Sequence, residues 1–226
     1  MATAESEQMA AIVATFAPLM KQQGFRKRRH CFNRTMDSGL VHVANFWQHP
    51  KEPAAWTEVS GLRERRYGTF RLDFGVYVPE IKRGGSPRSD WINDYNCHLR
   101  RTAGQLEGAQ HDMWLPIDDP ESVEHTQRSL EEFGFPWLAR FASHDAVLDE
   151  FHRYGAVGIG MSPAGGLDIA DMLIALGRQQ EARSVLEGYV SRSVLKSHGQ
   201  YLSDYLRDRG HPDLVDRIQT HEPTPS

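Results

Sequence analysis

The apolar positions of the first segment recur at spacings of three and four, which places them on one stripe of a helix. They are Met9, Ile12, Val13, Phe16, Leu19 and Met20. Gly24 follows where a helix of this length would end, and glycine is the common residue at that position. The pattern therefore predicts an amphipathic N-terminal helix.

A period of two replaces this pattern in segment 69–78, where apolar residues alternate with polar or small ones. The apolar set is Phe70, Leu72, Phe74, Val76 and Val78. Segments 25–34 and 40–48 flank an Asp37-Ser38-Gly39 turn and predict a hairpin. Segment 97–106 predicts a further strand. We therefore expect an antiparallel sheet of about four strands.

The second half of the chain has helical patterns. Pro120 and Glu121 begin a helix expected to run to about residue 133, where Gly134-Phe135-Pro136 should break it. We expect further helices over 136–154, 167–176, 179–192 and 195–209, with a glycine-rich connection at 155–166. The fold class is thus α+β in one domain, residues 1–220, with helix and sheet in 1–115, a helical part in 116–220 that can form a subdomain, and a disordered tail at 221–226.

The composition indicates the cellular compartment in which we expect the protein. No apolar run approaches the length of a membrane span, and the N-terminus lacks the features of a signal peptide. Cys31 and Cys97 are the two cysteines of the chain, too few for a disulfide framework. We therefore expect a soluble cytoplasmic protein that does not interact with membranes. The oligomeric state does not follow from the sequence.

Charge is unevenly distributed within the net −4. Residues 1–110 contain 16 Lys/Arg and 11 Asp/Glu, a net of +5, whereas residues 111–226 contain 10 and 19, a net of −9. A basic half can contact nucleic acid, but it can equally be a solvated surface or a contact with the acidic half.

Four short motifs occur in order after the N-terminal helix. They are Gly24-Phe25-Arg26-Lys27-Arg28, Phe32-Asn33-Arg34, Phe74-Gly75-Val76-Tyr77-Val78-Pro79 and Cys97-His98-Leu99-Arg100. As an ordered set, over about residues 8–140, the chain resembles a bacterial family of domains of unknown function (family 4304). The resemblance implies a small bacterial cytoplasmic protein and brings no catalytic residues with it.

Known chemical motifs do not fit. His30-Cys31 and Cys97-His98 suggest a Cys2His2 metal site, but neither cysteine has standard zinc-ligand spacing, so we predict no metal and no cofactor. Serine-nucleophile and zinc-protease motifs are absent from the sequence. The glycines of 155–166 match neither phosphate-binding pattern, so we interpret them as a flexible connection.

A ligand surface is predicted on the polar face of the 69–78 strand. Arg71, Asp73 and Tyr77 alternate with its apolar residues, and the neighbouring strand should add either His42 or the pair Asn45 and Trp47, depending on register. A cation, an acid and aromatic rings in one row suit a groove for a peptide or a small polar ligand. A solvated face with cross-strand pairs is the alternative.

Three hypotheses follow for function. The first is a non-catalytic protein- or ligand-binding module with an interaction or regulatory role, whose partner is expected to be a protein. The second is an enzyme with an unrecognised site on the polar sheet face. The third is single-stranded nucleic-acid binding by basic clusters, namely Arg26, Lys27, Arg28 and Arg29, then Arg63, Arg65 and Arg66, then Arg100 and Arg101.

Overall fold

A computed structural model describes residues 4–49, 66–82, 90–192 and 194–221. The chain divides into two compact units, residues 1–79 with 86–161, and residues 80–85 with 162–226. This boundary lies further along the chain than the division near residue 115 within the single predicted domain. The α+β class, the N-terminal helix and the helical second half are confirmed.

The first unit contains the antiparallel sheet. Its helices are α1 Ala4–Gln22, α2 Ala103–Leu106, α3 Glu121–Arg128, α4 Phe135–Ala139 and α5 His144–Gly158. Its strands are β1 Arg26–Arg28, β2 Cys31–Thr35, β3 Val41–Gln48, β4 Thr69–Tyr77, β5 Leu99–Thr102 and β6 Leu115–Pro116. The strand order is β1-β2-β3-β4-β5, and β6 pairs with β4.

One face of this sheet forms the core. The apolar residues predicted on β4 are buried, and aromatic rings extend from helix to sheet: Phe16 of α1 lies 5.6 Å from Phe46, which lies 6.4 Å from Phe70. The alternation along β4 thus gave the core face correctly, because a strand buries every second side chain on a given face.

The basic segment 25–34 is two strands rather than the predicted one. β1 and β2 pair with each other, with Arg28 opposite Cys31, and a two-residue loop, Arg29-His30, joins them. Long polar side chains allow extended and turn structure equally, so the pattern did not reveal the turn. β1 is consequently an edge strand with exposed residues.

The predicted helix break at residues 134–136 is wrong. A π-helical segment, Ser129–Gly134, continues directly into α4, and the Phe135 N–H donates to the Leu130 carbonyl five residues back. The wider π turn accommodates Pro136, whose ring would clash in a regular α-helix. Gly134 is required by packing, because a Cβ there would lie 2.1 Å from the Phe74 ring.

The glycine-rich stretch is partly helical. α5 kinks at Gly155, whose φ of 70° and ψ of 172° are not helical, and a short helical turn then continues to Gly158. Gly160 follows with a φ of 94°. The Arg100 N–H donates to the Gly160 carbonyl at 2.9 Å, so this stretch covers the outer edge of β5. A Cβ at Gly160 would lie 2.6 Å from the Arg100 carbonyl oxygen, which explains the glycine.

The described part of the second unit contains three α-helices. They are α6 Gly165–Ala175, α7 Gln179–Val190 and α8 Lys196–Asp208, with a parallel bridge between β7 Val194–Leu195 and β8 Thr220–His221. Asp171 of α6 is buried and accepts hydrogen bonds from the Tyr205 hydroxyl and from Arg209 Nε, both at 2.8 Å. These helices agree with the predicted ones; the tail from residue 222 lies outside the described residues.

His42 lies on the core face of β3 and is fully buried. The Phe141 carbonyl, 2.9 Å from Nε2, can only accept, and the Arg34 guanidinium, 3.0 Å from Nδ1, can only donate. The ring is therefore neutral with its proton on Nε2. Burial, and to a lesser degree Arg34, lower the pKa of His42 to about 4.

We predict that His42 makes the folded state sensitive to acid. Since its folded pKa lies below the unfolded value of 6.5, the unfolded state binds more protons as pH falls, and stability is lost below that value. Between pH 7 and pH 5 this loss should be about 2 kcal/mol. In urea unfolding, His42→Gln should lose less stability than the parent over this range. An identical pH dependence in both proteins would contradict the assignment.

Candidate functional site

The β3–β4 register decides which residues share the predicted ligand face. Asn45 pairs with Asp73 and Trp47 pairs with Arg71, so both join the polar face. His42 pairs with Val76 and points into the core. Of the two alternatives that the sequence left open, the structure therefore brings Asn45 and Trp47 together with Arg71, Asp73 and Tyr77.

Arg71 and Asp73 form a forked ion pair. Arg71 Nε and Nη2 donate to the two carboxylate oxygens of Asp73 at 2.7 and 2.8 Å, and Nη1 donates to Asp112. The guanidinium also lies 5.7 Å from the Trp47 ring and 5.1 Å from the Trp114 ring. Burial raises the pKa of Asp73, against the opposing effect of Arg71. Both oxygens of this acid are thus engaged inside the fold.

Much of the polar face is covered by residues 90–97, which we call the cover segment. Asp94 in this segment accepts a hydrogen bond from Asn45 Nδ2 at 2.7 Å and lies 3.6 Å from Arg100. Asp73 and Asp94 are consequently only 4% and 5% exposed. Beyond the segment, Tyr77 stacks on His98 with ring centroids 5.2 Å apart. Part of the polar face is therefore buried.

The two cysteines lie where the cover segment meets the sheet, since Cys31 is on β2 and Cys97 is the last residue of the segment. Cys31, Cys97, Val43 and Ile92 form one buried cluster, and the Cys31 thiol lies within hydrogen-bonding distance of the Asn33 side chain and the Ile92 carbonyl. Burial raises the pKa of Cys31 to about 11 and raises the pKa of Cys97 well above its ordinary value. Both are therefore thiols rather than thiolates at neutral pH. Within the described ranges no group of three or more His, Cys, Asp or Glu residues could hold a metal ion.

Beside the cover segment the sheet opens into a groove of about 960 Å³. Its basic wall is Lys27, Arg28, Arg29 and His30, from the end of β1 and the loop that follows. Its aromatic wall is Trp47, Trp91 and Tyr95, and Asn45, Asn93 and Gln48 also line it. We call this feature the basic groove. Its volume lies at the upper end of the range of about 300–1,000 Å³ found for small-molecule sites.

The basic wall concentrates positive charge. Lys27, Arg28 and Arg29 are exposed, and none of them forms an ion pair with a residue in the part of the chain that the structure describes. Burial, followed by the charges of Lys27 and Arg29, lowers the pKa of His30. The loop is therefore a cluster of positive charge without an ion-pair partner among the described residues.

Arg29 has an unusual backbone conformation. Its φ of 56° makes it the single non-glycine residue with positive φ among those described. This region costs an ordinary side chain roughly 1–2 kcal/mol, and such strain concentrates at functional sites. The loop therefore has an arginine at a position where glycine or asparagine would have a lower conformational energy.

The other basic clusters are dispersed. Arg101 lies on the opposite face from Arg100, and its Nη2 donates to the Val157 and Gly158 carbonyls. Arg100 faces Asp94. Arg66 lies 4.8 Å from the Trp114 ring, whereas Arg63 and Arg65 lie outside the described residues. Of the predicted nucleic-acid residues, Lys27, Arg28 and Arg29 line the groove, and Arg26 precedes them on β1.

Residues 16–140 match the family described as a domain of unknown function, DUF4304. The chain belongs to this family. The DUF4304 region includes the whole sheet and both walls of the basic groove, and ends at the residue after α4. Neither the curated proteins nor the solved structures contain a match to the chain. No helix in the described part of the chain is long and apolar enough to cross a membrane.

Sequence reasoning missed the aromatic wall supplied by the cover segment. Trp91, Asn93 and Tyr95 lie between the predicted strands 69–78 and 97–106, in a stretch for which the pattern predicted no helix or strand. The available signal was the composition of W-I-N-D-Y-N, since aromatic rings and amides in a loop are typical of recognition surfaces. Nothing in its pattern indicated that the loop folds back over the sheet.

We predict that Asp94 holds the cover segment in place. Asp94→Ala removes the acceptor for Asn45 and the partner of Arg100, leaving a half-buried amide with an unmet hydrogen bond. The free energy of unfolding should fall by about 1–3 kcal/mol. Hydrogen exchange of residues 91–97 should accelerate more than that of β3 or β4.

Asp90→Ala is the matched control, because Asp90 is an exposed acid of the same segment. It should leave stability and exchange close to those of the parent. Parental exchange of residues 91–97 in Asp94→Ala would show that the segment is held by other contacts.

Proposed function

We propose that this DUF4304 protein is a non-catalytic binding module with an interaction or regulatory role, and that the basic groove is its site for a negatively charged ligand. We also propose that it acts in the bacterial cytoplasm, where two buried, unbridged thiols would persist in reduced form. The single observation that carries the proposal is Arg29, a strained cation on the groove wall.

Strain at Arg29 supports a role for its side chain. Glycine would adopt the same φ without a steric cost. Keeping arginine therefore costs stability while adding a charge to the groove, a combination expected where the side chain contributes to binding.

The charge of the groove supports an anionic ligand. Three exposed cations without ion-pair partners among the described residues attract an anion without first breaking internal bonds. A bound anion would also offset the repulsion that Lys27 and Arg29 exert on protonated His30. Binding should therefore raise the pKa of His30, which gives a second readout independent of affinity.

The enzyme hypothesis has less support. Asp73, its main candidate acid, binds Arg71 through both carboxylate oxygens and is 4% exposed. A general acid or base has to reach the proton that it transfers. The ion pair between Arg71 and Asp73 is better explained as a structural interaction that positions Trp47 and the sheet beneath the groove.

We predict that replacing Arg29 increases the stability of the fold and weakens ligand binding. Arg29→Gly should raise the free energy of unfolding by about 0.5–1 kcal/mol, because relief of strain exceeds the added chain entropy. The same change should weaken binding of a labelled heparin oligosaccharide several-fold at low salt, since one cation is lost. Urea unfolding and fluorescence anisotropy measure the two effects.

Two further variants test the assignment. Arg29→Asn, which tolerates positive φ, should behave like Arg29→Gly. Arg192→Ala removes an exposed cation far along the sequence from the groove and should retain parental affinity. Equal affinity of the parent and Arg29→Gly, or no binding of heparin by the parent, would count against the proposed function.

A further inference from the structure

Two aromatic rings of the basic groove are exposed and yet held in place. Trp47 is 38% exposed, and its ring meets the Trp114 ring edge-on at 5.3 Å and the His49 ring at 5.9 Å. Tyr95 is 68% exposed, and its hydroxyl accepts a hydrogen bond from Asn93 Nδ2 at 2.9 Å. A ring fixed by its neighbours offers a face for stacking at little cost in conformational entropy.

Rings and cations line the same groove. Lys27, Arg28 and Arg29 line the basic groove together with Trp47 and Tyr95. A positively charged groove that follows a phosphate backbone, with aromatic rings for the bases, is the arrangement by which proteins bind single strands. From this juxtaposition we infer that the ligand of the basic groove is a short single-stranded nucleic acid. The inference rests on the proposed function and specifies its ligand.

An acidic polypeptide fits these observations less well. Carboxylates would satisfy the cations but leave the faces of Trp47 and Tyr95 without a planar partner. Strand addition at β1 is also disfavoured, because this edge has only three residues, Arg26–Arg28, all charged. Short, lysine-containing edges are a common means of preventing strand addition.

A duplex is disfavoured for a different reason. Its bases are stacked on one another, so their faces are hidden from Trp47 and Tyr95. A duplex could contact the basic wall through its phosphates, but it would leave the aromatic rings of the groove without a contact. Single strands expose both the phosphates and the base faces, and each feature of the groove then has a counterpart.

The first experiment compares four labelled probes on the parent protein by fluorescence anisotropy at low salt. They are an eight-nucleotide oligo(dT), an eight-nucleotide oligo(rU), an abasic DNA oligomer of equal phosphate number, and an octaglutamate peptide. We expect at least one of the two base-containing probes to bind at least fivefold more tightly than the abasic oligomer, because stacking adds to the phosphate contacts. A preference between the two would distinguish DNA from RNA.

The outcomes separate the inference from the proposed function. Equal binding of the abasic oligomer and the base-containing probes, or tighter binding of octaglutamate, would overturn the nucleic-acid assignment and leave anion binding intact. Failure of all four probes and of heparin would overturn both.

Variants then locate the contacts. Tyr95→Ala should weaken binding of the better base-containing probe at least fivefold while leaving the abasic oligomer unaffected. Arg28→Gln should weaken both probes and reduce the slope of log affinity against log salt by about 0.7. Tyr154→Ala is the matched control, because Tyr154 is a 53% exposed tyrosine on α5 that does not line the groove. An equal loss in Tyr95→Ala and Tyr154→Ala would overturn the stacking assignment.

Discussion

The pairing of β3 with β4 determines where the important side chains of the first unit lie. With Asn45 opposite Asp73 and Trp47 opposite Arg71, the residue pair between them, Phe46 and Leu72, must face the core. A shift of one residue in a strand would send its phenylalanines to the polar face and its charged or amide side chains beneath α1. The stacked rings of Phe16, Phe46 and Phe70 make that shift costly, so the core enforces the register on which the polar face depends.

Burial of charge explains why the polar face is divided into two parts. Removing Asp73 from water is costly unless its oxygens are paired, and Arg71 pairs both of them. Asp94 is buried in the same way, with Asn45 as a donor and Arg100 nearby. These bonds fasten the cover segment to the sheet and exclude solvent from its centre. The second part is the basic groove beside the segment, where the exposed cations and aromatic rings lie.

Local patterns predicted the elements of the fold better than their long-range arrangement. The alternation along β4 and the helical spacing of α1 correspond directly to buried faces, because each depends on the geometry of one element. The path of the cover segment depends instead on bonds such as Asn45–Asp94 between residues far apart in sequence. Two of the five predicted ligand residues, Asn45 and Trp47, line the groove, as do Lys27, Arg28 and Arg29 of the predicted basic cluster. Tyr95 and the turn conformation of Arg29 required the structure.

The loop between β1 and β2 is where turn geometry and residue choice disagree. A two-residue hairpin loop needs positive φ because strands twist to the right, and glycine or asparagine usually supplies it. Elsewhere in this unit glycine occupies positions of positive φ, as at Gly24, Gly39 and Gly68 with φ values of 76° to 87°. Arg29 is the exception among the described residues. Nothing in the turn itself favours arginine, and the surface that Arg29 lines is the basic groove, which is why the proposed function depends on this residue.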